Sequence, residues 1–453
     1  MLIDRDGTYR PRWGHRWLTT FAAGEIRHLS RIGGYNAYLM LIAGTDLQRV
    51  HVESLSASGL DSGWPTSPIA ATIAVTSSGE NVWIACKTAI GGNPNTLYKY
   101  VNGGALTAIA SPSTGNYVGM HGYFAVKCKS GYTDNTALRW SDLGDVDTWQ
   151  VTSAKQPPPE IRTVDAIVPF SQRESLLFGP GGVASMVGTA VDSMSFQPIS
   201  NVPIVTPMYH LCKCRDAVYF LSPGFQICRY RHPGVVERID APLNRLLDDA
   251  AGTSNLRSWY DPQTNCYVLW DRTSYTGYNF SIDQQRWVGA TTFAVASTNM
   301  LGYVEIDQGA SALDEATQPW GKGFVSAGAR LLQVDPSLYT DGTGSGTTSA
   351  YTCRVETKPG FGGYDPTVEK QCREVHVYGT GDWTVKLKSR SGPDASWTTT
   401  TLGTVTAPGR VYPSLSNMPS YTERTFLCEA SSASGVRWAS IAVDEVPVGT
   451  AAG

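Results

Sequence analysis

The stretch "LRWSDLGDVDTW", Leu138 to Trp149, sets three carboxylates, Asp142, Asp145 and Asp147, between Trp140 and Trp149. Carboxylates at this spacing could hold a cation, act as an acid/base pair, or shape a turn by accepting backbone N–H bonds. A calcium loop needs alternating Asp/Asn ligands and a distant Glu, and Asp145-Val146-Asp147 supplies only a pair. Glycoside hydrolysis needs a second carboxylate across a cleft, which the sequence does not place. The turn reading leads. Ser141, Asp142, Gly144, Asp145, Thr148 and Trp149 are the residue types of a structural turn, with Gly taking the awkward φ and Trp packing between sheets.

Other chemistry-bearing groups give less. In "HLCKC", His210, Cys212 and Cys214 alternate, so an extended chain puts all three on one face. Zinc sites add ligands from a second CxxC or HxxxH element, and none is near, so small inward-facing residues are the expectation and a metal is not. "FGPGGVASMVG", Phe178 to Gly188, lacks the Lys-Ser/Thr of a phosphate loop and reads as a hairpin turn. No G-x-S-x-G elbow is present, and Arg162, Arg173, Arg215 and Arg257 are not brought together by spacing. The expectation is a protein that is not an enzyme, with no catalytic, metal or cofactor residue.

Composition points to what must position these residues. The 453-residue chain is 42% hydrophobic and only 17% charged, with 46 Gly, 22 Tyr and 13 Trp, a mix that favours short strands and tight turns. A net charge of −3 gives no general grip on nucleic acid or anionic membrane. The opening "MLIDRDGTYRPRWGHRW" lacks an apolar signal region, and no apolar run approaches the roughly 18 residues of a membrane span. Nine scattered Cys without a CxxC pair suit assembly in a reducing cytoplasm.

A repeat emerges when apolar runs are aligned. They begin at Tyr38, Val82, Tyr123, Ser175, Val218, Tyr267 and Phe324, separated by 44, 41, 52, 43, 49 and 57 residues. A second strand commonly follows, as in 96–103, 137–144, 226–234, 276–287 and 329–335. This period predicts an all-β fold: a degenerate β-propeller of six or seven blades over residues 21–340. Residues 1–20 read as an N-terminal arm, 341–350 as a linker, and 351–447, where strands alternate apolar with polar, as a small C-terminal β-sandwich. One helix is expected in "IDAPLNRLLDDAAG", capped by Asp240, with Pro242 in its first turn, an apolar face of Leu243, Leu246 and Leu247, and a stop at Gly252.

"SDLGDVDTW" loosely resembles the Asp-box of sialidase-like propellers, with altered spacing, and that box is itself a structural turn. The whole of "LRWSDLGDVDTW" resembles a segment of the tail hub proteins of short-tailed bacteriophages (podoviruses), also called nozzle or packaged-DNA stabilization proteins. There a strand ends in Trp- or Tyr-Ser-Asp, followed by an Asp/Gly-rich turn and Thr-Trp. "RDAVYFLSPGFQICRYRHPGVVERIDAPLNRLL" from Arg215, "SWYDPQTNCYVLWD" and "YNFSIDQQRWVGAT" from Ser258 to Thr291, and "VEKQCREVHVYGTGDWTVKLKSR" are similar to further segments of that family.

The resemblance implies a non-enzymatic virion protein, assembled in the host cytoplasm into a homo-oligomeric ring, usually a hexamer. Such a ring sits below the portal and its adaptor, the head-to-tail connector. It continues the channel for viral dsDNA without sequence-specific binding and without membrane insertion. It also offers attachment for tail fibres or spikes, and a needle or plug closes it. The alternative is a carbohydrate-binding or sialidase-like propeller, with Trp140 and Trp287 as sugar platforms.

Overall fold

The computed structural model describes residues 2–3, 9–10, 14–32, 38–51, 54, 56–67, 69–89, 95–101, 103–109, 114–128, 137–149, 154–171, 173–205, 210–214, 217–231, 234–240, 243, 255–261, 264–292, 300–306, 322–335, 340–344, 347–350, 352–357, 369–392, 394–414, 419–431 and 436–448. Nearly every regular element among them is a β-strand, and the chain divides into two compact units. The first holds Trp17–Trp287 and Ala296–Val334; the second holds Met1–Arg16, Val288–Val295 and Asp335–Gly453.

The first unit is a β-propeller, and its described residues form seven blade sheets. Blade 1 pairs Ile26–Ile32, Tyr38–Ala43, Asp46–His51 and Ala57–Asp61 in chain order. Blade 2 pairs Ile69–Val75, Asn81–Ala89, Asn95–Val101 and Leu106–Ala108, with Thr114–Gly115 added to its third strand. Blade 3 pairs Tyr117–His121, Phe124–Cys128, Leu138–Trp140 and Ala154–Lys155. Blade 4 pairs Ala166–Pro169, Glu174–Gly179, Gly182–Val187 and Ser195–Ser200. Blade 5 pairs Cys212–Cys214, Ala217–Ser222, Gln226–Arg231 and Val235–Arg238, and blade 6 pairs Leu256–Asp261, Cys266–Asp271, Thr276–Ser281 and Arg286–Thr292.

Blade 7 is assembled differently. Met300–Ile306, Lys322–Ala327 and Arg330–Asp335 supply three strands, and Gly14–Thr20 supplies the fourth. The chain then passes from blade 7 to blade 1 through backbone bonds from Phe21 N–H to Ala329 O, 2.9 Å, and from Ile26 N–H to Gly328 O, 2.9 Å. Residues 17–20, read from sequence as part of an arm, are therefore a blade strand. The repeat was invisible there because its other three strands lie about 300 residues downstream, beyond any local pattern.

The seven apolar runs picked out in the sequence begin the second strands of the seven blades or immediately precede them. These strands are mostly apolar because a neighbouring blade covers each face. Phe124–Cys128, Ala217–Ser222 and Cys266–Asp271 are buried at every position. In blade 4 the Gly-rich stretch forms the Pro180–Gly181 turn between paired strands, and a Cβ on Gly181 would stand 2.0 Å from Glu160 O. Only glycine lets those backbones approach so closely. The expected helix from Asp240 lies almost wholly outside the described residues; of it, Leu243 is buried and its N–H bonds Asp240 O at 2.7 Å.

The second unit contains the C-terminal β-sandwich. Its central strand, Lys370–Arg390, bends where Gly381 takes a φ of 84° and the pairing slips between Val377 and Gly381. Its first leg pairs with Arg437–Pro447 and its second with Glu423–Ser431, while Thr398–Val411 follows it along the other edge. The layers close over Val375, Val385, Phe426 and a Trp383–Trp438 edge contact with centroids 5.3 Å apart. The expected linker, 341–350, instead carries a hairpin, with Thr340–Gly344 paired to Thr347–Ala350. Thr and Gly serve strands and bulges as readily as linkers, so composition alone misread it.

Candidate functional site

The opening segment lies at the junction of blades 2 and 3. Leu138–Trp140 is a blade strand, and the chain turns directly after it. Ser141 is buried; its N–H bonds Ala125 O at 2.9 Å and its Oγ accepts from Ala125 N–H at 3.0 Å, fastening the turn to the adjacent strand. Asp142 N–H bonds Thr148 O at 2.8 Å. The Asp145 carboxylate accepts from Asp147 N–H and from the Thr148 hydroxyl, each at 2.8 Å. Those two bonds hold its carboxyl below the usual carboxylate range. Trp149 Nε1 donates to Val146 O at 2.8 Å, and both side chains are buried in the propeller core.

Gly144 carries the turn across to blade 2. Its φ is 66°, its carbonyl accepts from Ser77 N–H at 2.9 Å, and an added Cβ would meet that nitrogen at 2.8 Å. Asp147, the third carboxylate, pairs with Lys99 of blade 2. Beneath the turn, the buried Lys127 ammonium stands 4.7 Å from the centre of the Trp149 ring. All six residues singled out for the turn thus meet in one structure, bonded chiefly to backbone.

The neighbouring junctions spend polar groups in the same way. Between blades 1 and 2, Trp83 Nε1 donates to Ser30 Oγ at 3.0 Å, and His28 Nε2 lies 2.9 Å from the same oxygen. Lys87 pairs with Asp61 at 2.7 Å across that junction. Between blades 3 and 4, His121 Nε2 donates to Gly188 O at 2.9 Å, and its Nδ1 is 2.8 Å from Ser175 Oγ. Burial lowers the pKa of both imidazoles, that of His28 to about 4. Lys213 of blade 5 donates to Pro169 O of blade 4 at 2.7 Å, and Arg229 and Arg231 both bond Gln285 of blade 6. Sequence reasoning missed these rungs because they join residues 26 to 67 positions apart, most of them 44 to 56. Only the near coincidence of that separation with the repeat period hinted at them.

The remaining candidates separate. Cys212 and Cys214 are buried on one face with Sγ atoms 3.5 Å apart, and burial pushes the Cys214 thiol far up. His210 is buried too, and among the described residues no group of three His, Cys, Asp or Glu is placed to hold a metal ion. Arg162 and Arg173 are exposed in blade 4 turns, Arg257 is buried on blade 6 with Nη1 bonded to Leu256 O, and Arg215 lies outside the described residues. Trp140 is fully buried, which removes it as a sugar platform, and half-buried Trp287 donates its Nε1 to Ile239 O at 2.6 Å.

With this geometry in hand, comparison with known proteins adds little. No family model and no curated protein matches the chain. Among solved structures, the β-propeller domain of Cps50 (Swd1) from Myceliophteria thermophila is similar, with a TM-score of 0.48 and 8% identity over 70% of this chain and 99% of that one. The fold rests on the blade pairing itself.

Proposed function

We propose that the chain is a structural virion protein, a ring-forming tail hub or nozzle of a short-tailed bacteriophage. It would sit below the portal and adaptor, conduct DNA at ejection and carry fibres, spikes or a needle. One observation supports a scaffold above all: the Leu138–Trp149 segment, which carries the resemblance, spends the Asp145 carboxylate on its own turn and the Asp147 carboxylate on Lys99 of blade 2. A sparsely charged chain that exposes Tyr123, Tyr275, Tyr378 and Tyr412 also suits permanent subunit contacts. Slight acidity suits a lumen past which DNA slides, since each neutralised phosphate adds salt-dependent affinity.

The test is assembly. Mass photometry and electron microscopy of the purified chain, alone and with the adaptor from the same particle, are expected to show closed rings, hexameric by the family pattern, that dock on the adaptor. A monomer that ignores the adaptor and hydrolyses sialosides would overturn the proposal in favour of a glycan-processing propeller. A strongly basic lumen in the ring would remove the sliding argument.

A further inference from the structure

The outward face of the bent strand Lys370–Arg390 gathers a cluster that neither the turn nor the blade junctions use. Glu374, His376 and Tyr378 alternate along it, opposite in facing to the core residues Val375 and Val377. The register sets Arg410 across from His376. Arg410 Nη1 stands 3.0 Å from Glu374 Oε1, and Tyr412 follows two residues further along the chain. The His376 and Tyr378 rings are 4.0 Å apart and tilted by 38°. On the other flank the register places Ala442 beside His376 and Ser440 beside Tyr378, side chains too small to cover the rings. Tyr378 and Tyr412 are therefore 39% and 66% exposed.

Three kinds of occupant can be weighed against this chemistry. The centre of a protein interface is depleted of charge, yet here an ion pair stands between the rings. An anion would meet Glu374 and, paired across from it on the next strand, Asp444. A neutral sugar fits both parts. Its C–H face rests on an exposed ring, and its vicinal hydroxyls both donate and accept. Glu374 keeps acceptor capacity and Arg410 keeps N–H donors beyond the contact they share, side by side and already oriented.

We propose that the face centred on Arg410 and framed by Tyr378 and Tyr412 is a binding site for a neutral saccharide. Glu374 accepts from one hydroxyl, Arg410 donates to its neighbour, and the tyrosine rings carry the apolar face. The site is on the second unit, involves no bond cleavage, and does not depend on ring formation.

The experiment is saturation-transfer NMR and calorimetry on the full chain with cellohexaose, maltohexaose and chitohexaose. At least one is expected to receive saturation from the protein's aromatic protons. Tyr412→Ala, Tyr378→Ala and Glu374→Gln should each weaken that binding tenfold or more without changing thermal unfolding. Tyr275→Ala, an exposed ring of the propeller, should leave it unchanged. If Tyr378→Ala unfolds, Tyr412→Ala alone carries the test, since its ring lies beyond the strand end and buries little. Lack of transfer to all three hexasaccharides overturns the proposal, as does binding that survives both tyrosine changes. Self-association abolished by Tyr412→Ala, with no sugar bound, overturns it in favour of a second copy of this chain.

Discussion

At Trp149 the energetics of the turn concentrate in one side chain. Its ring is buried, its Nε1 is satisfied within the turn, and a buried ammonium rests against its face. Trp149→Ala is expected to cost about 3–5 kcal/mol, read as a lower urea midpoint at unchanged slope. Gly144→Ala should cost on the order of 1–3 kcal/mol by the same measurement, because positive φ and a 2.8 Å clash with the Ser77 backbone act together. Asp145 adds a pH signature. Its folded pKa is depressed, so the stability it contributes is present above the ordinary carboxylate value of about 4 and is lost as pH falls through the lower folded value. Asp145→Asn should blunt that acid limb. Sequence named all six residues of this turn because Ser, Asp, Gly and Trp declare turn chemistry locally. It could not name Ser77 or Lys127, which reach the turn from other strands.

Between elements, the blade junctions make a second pH prediction of the same sign but at higher pH. Half-buried His28 and buried His121 are held neutral, with pKa values below the unfolded value near 6.5. The unfolded chain therefore binds more protons below about 6.5, so stability falls as pH drops toward the folded values, about 4 for His28. Melting temperature measured from pH 8 to pH 4 should decline across this window, and His28→Asn or His121→Asn should flatten the decline. The strands themselves were largely legible: continuous apolar runs marked every second strand, because burial on both faces leaves no room for alternation. The rungs were not legible, since a histidine on one blade and a serine on the next share no local pattern. The alternating strands of the sandwich were legible too, though the stretch around Gly379 and Gly381 is a bend within one continuous strand, Lys370–Arg390, instead of a break.

For the molecule as a whole, all nine cysteines are free and buried. Thiol reagents should therefore label the native chain slowly and completely only after unfolding, and a reductant should leave its melting temperature unchanged. Ring closure should be equally global: removal of residues 1–20 takes a strand from blade 7, exposes a sheet edge, and is expected to give aggregation in place of a sharp unfolding transition. The domain limits read from sequence missed this because propeller closure is a property of the circle and not of any segment. It also sets a clock. At about 5–20 residues per second of synthesis, the strand ending at Thr20 waits roughly 15–60 seconds for its partner Arg330–Asp335 to leave the ribosome. Throughout that interval the growing arc of blades has two open ends, and nascent chains on neighbouring ribosomes present the same pair. The circle can shut only after translation has passed it, which makes the rate of elongation, and whatever shields the waiting edge, part of how this protein comes to be folded.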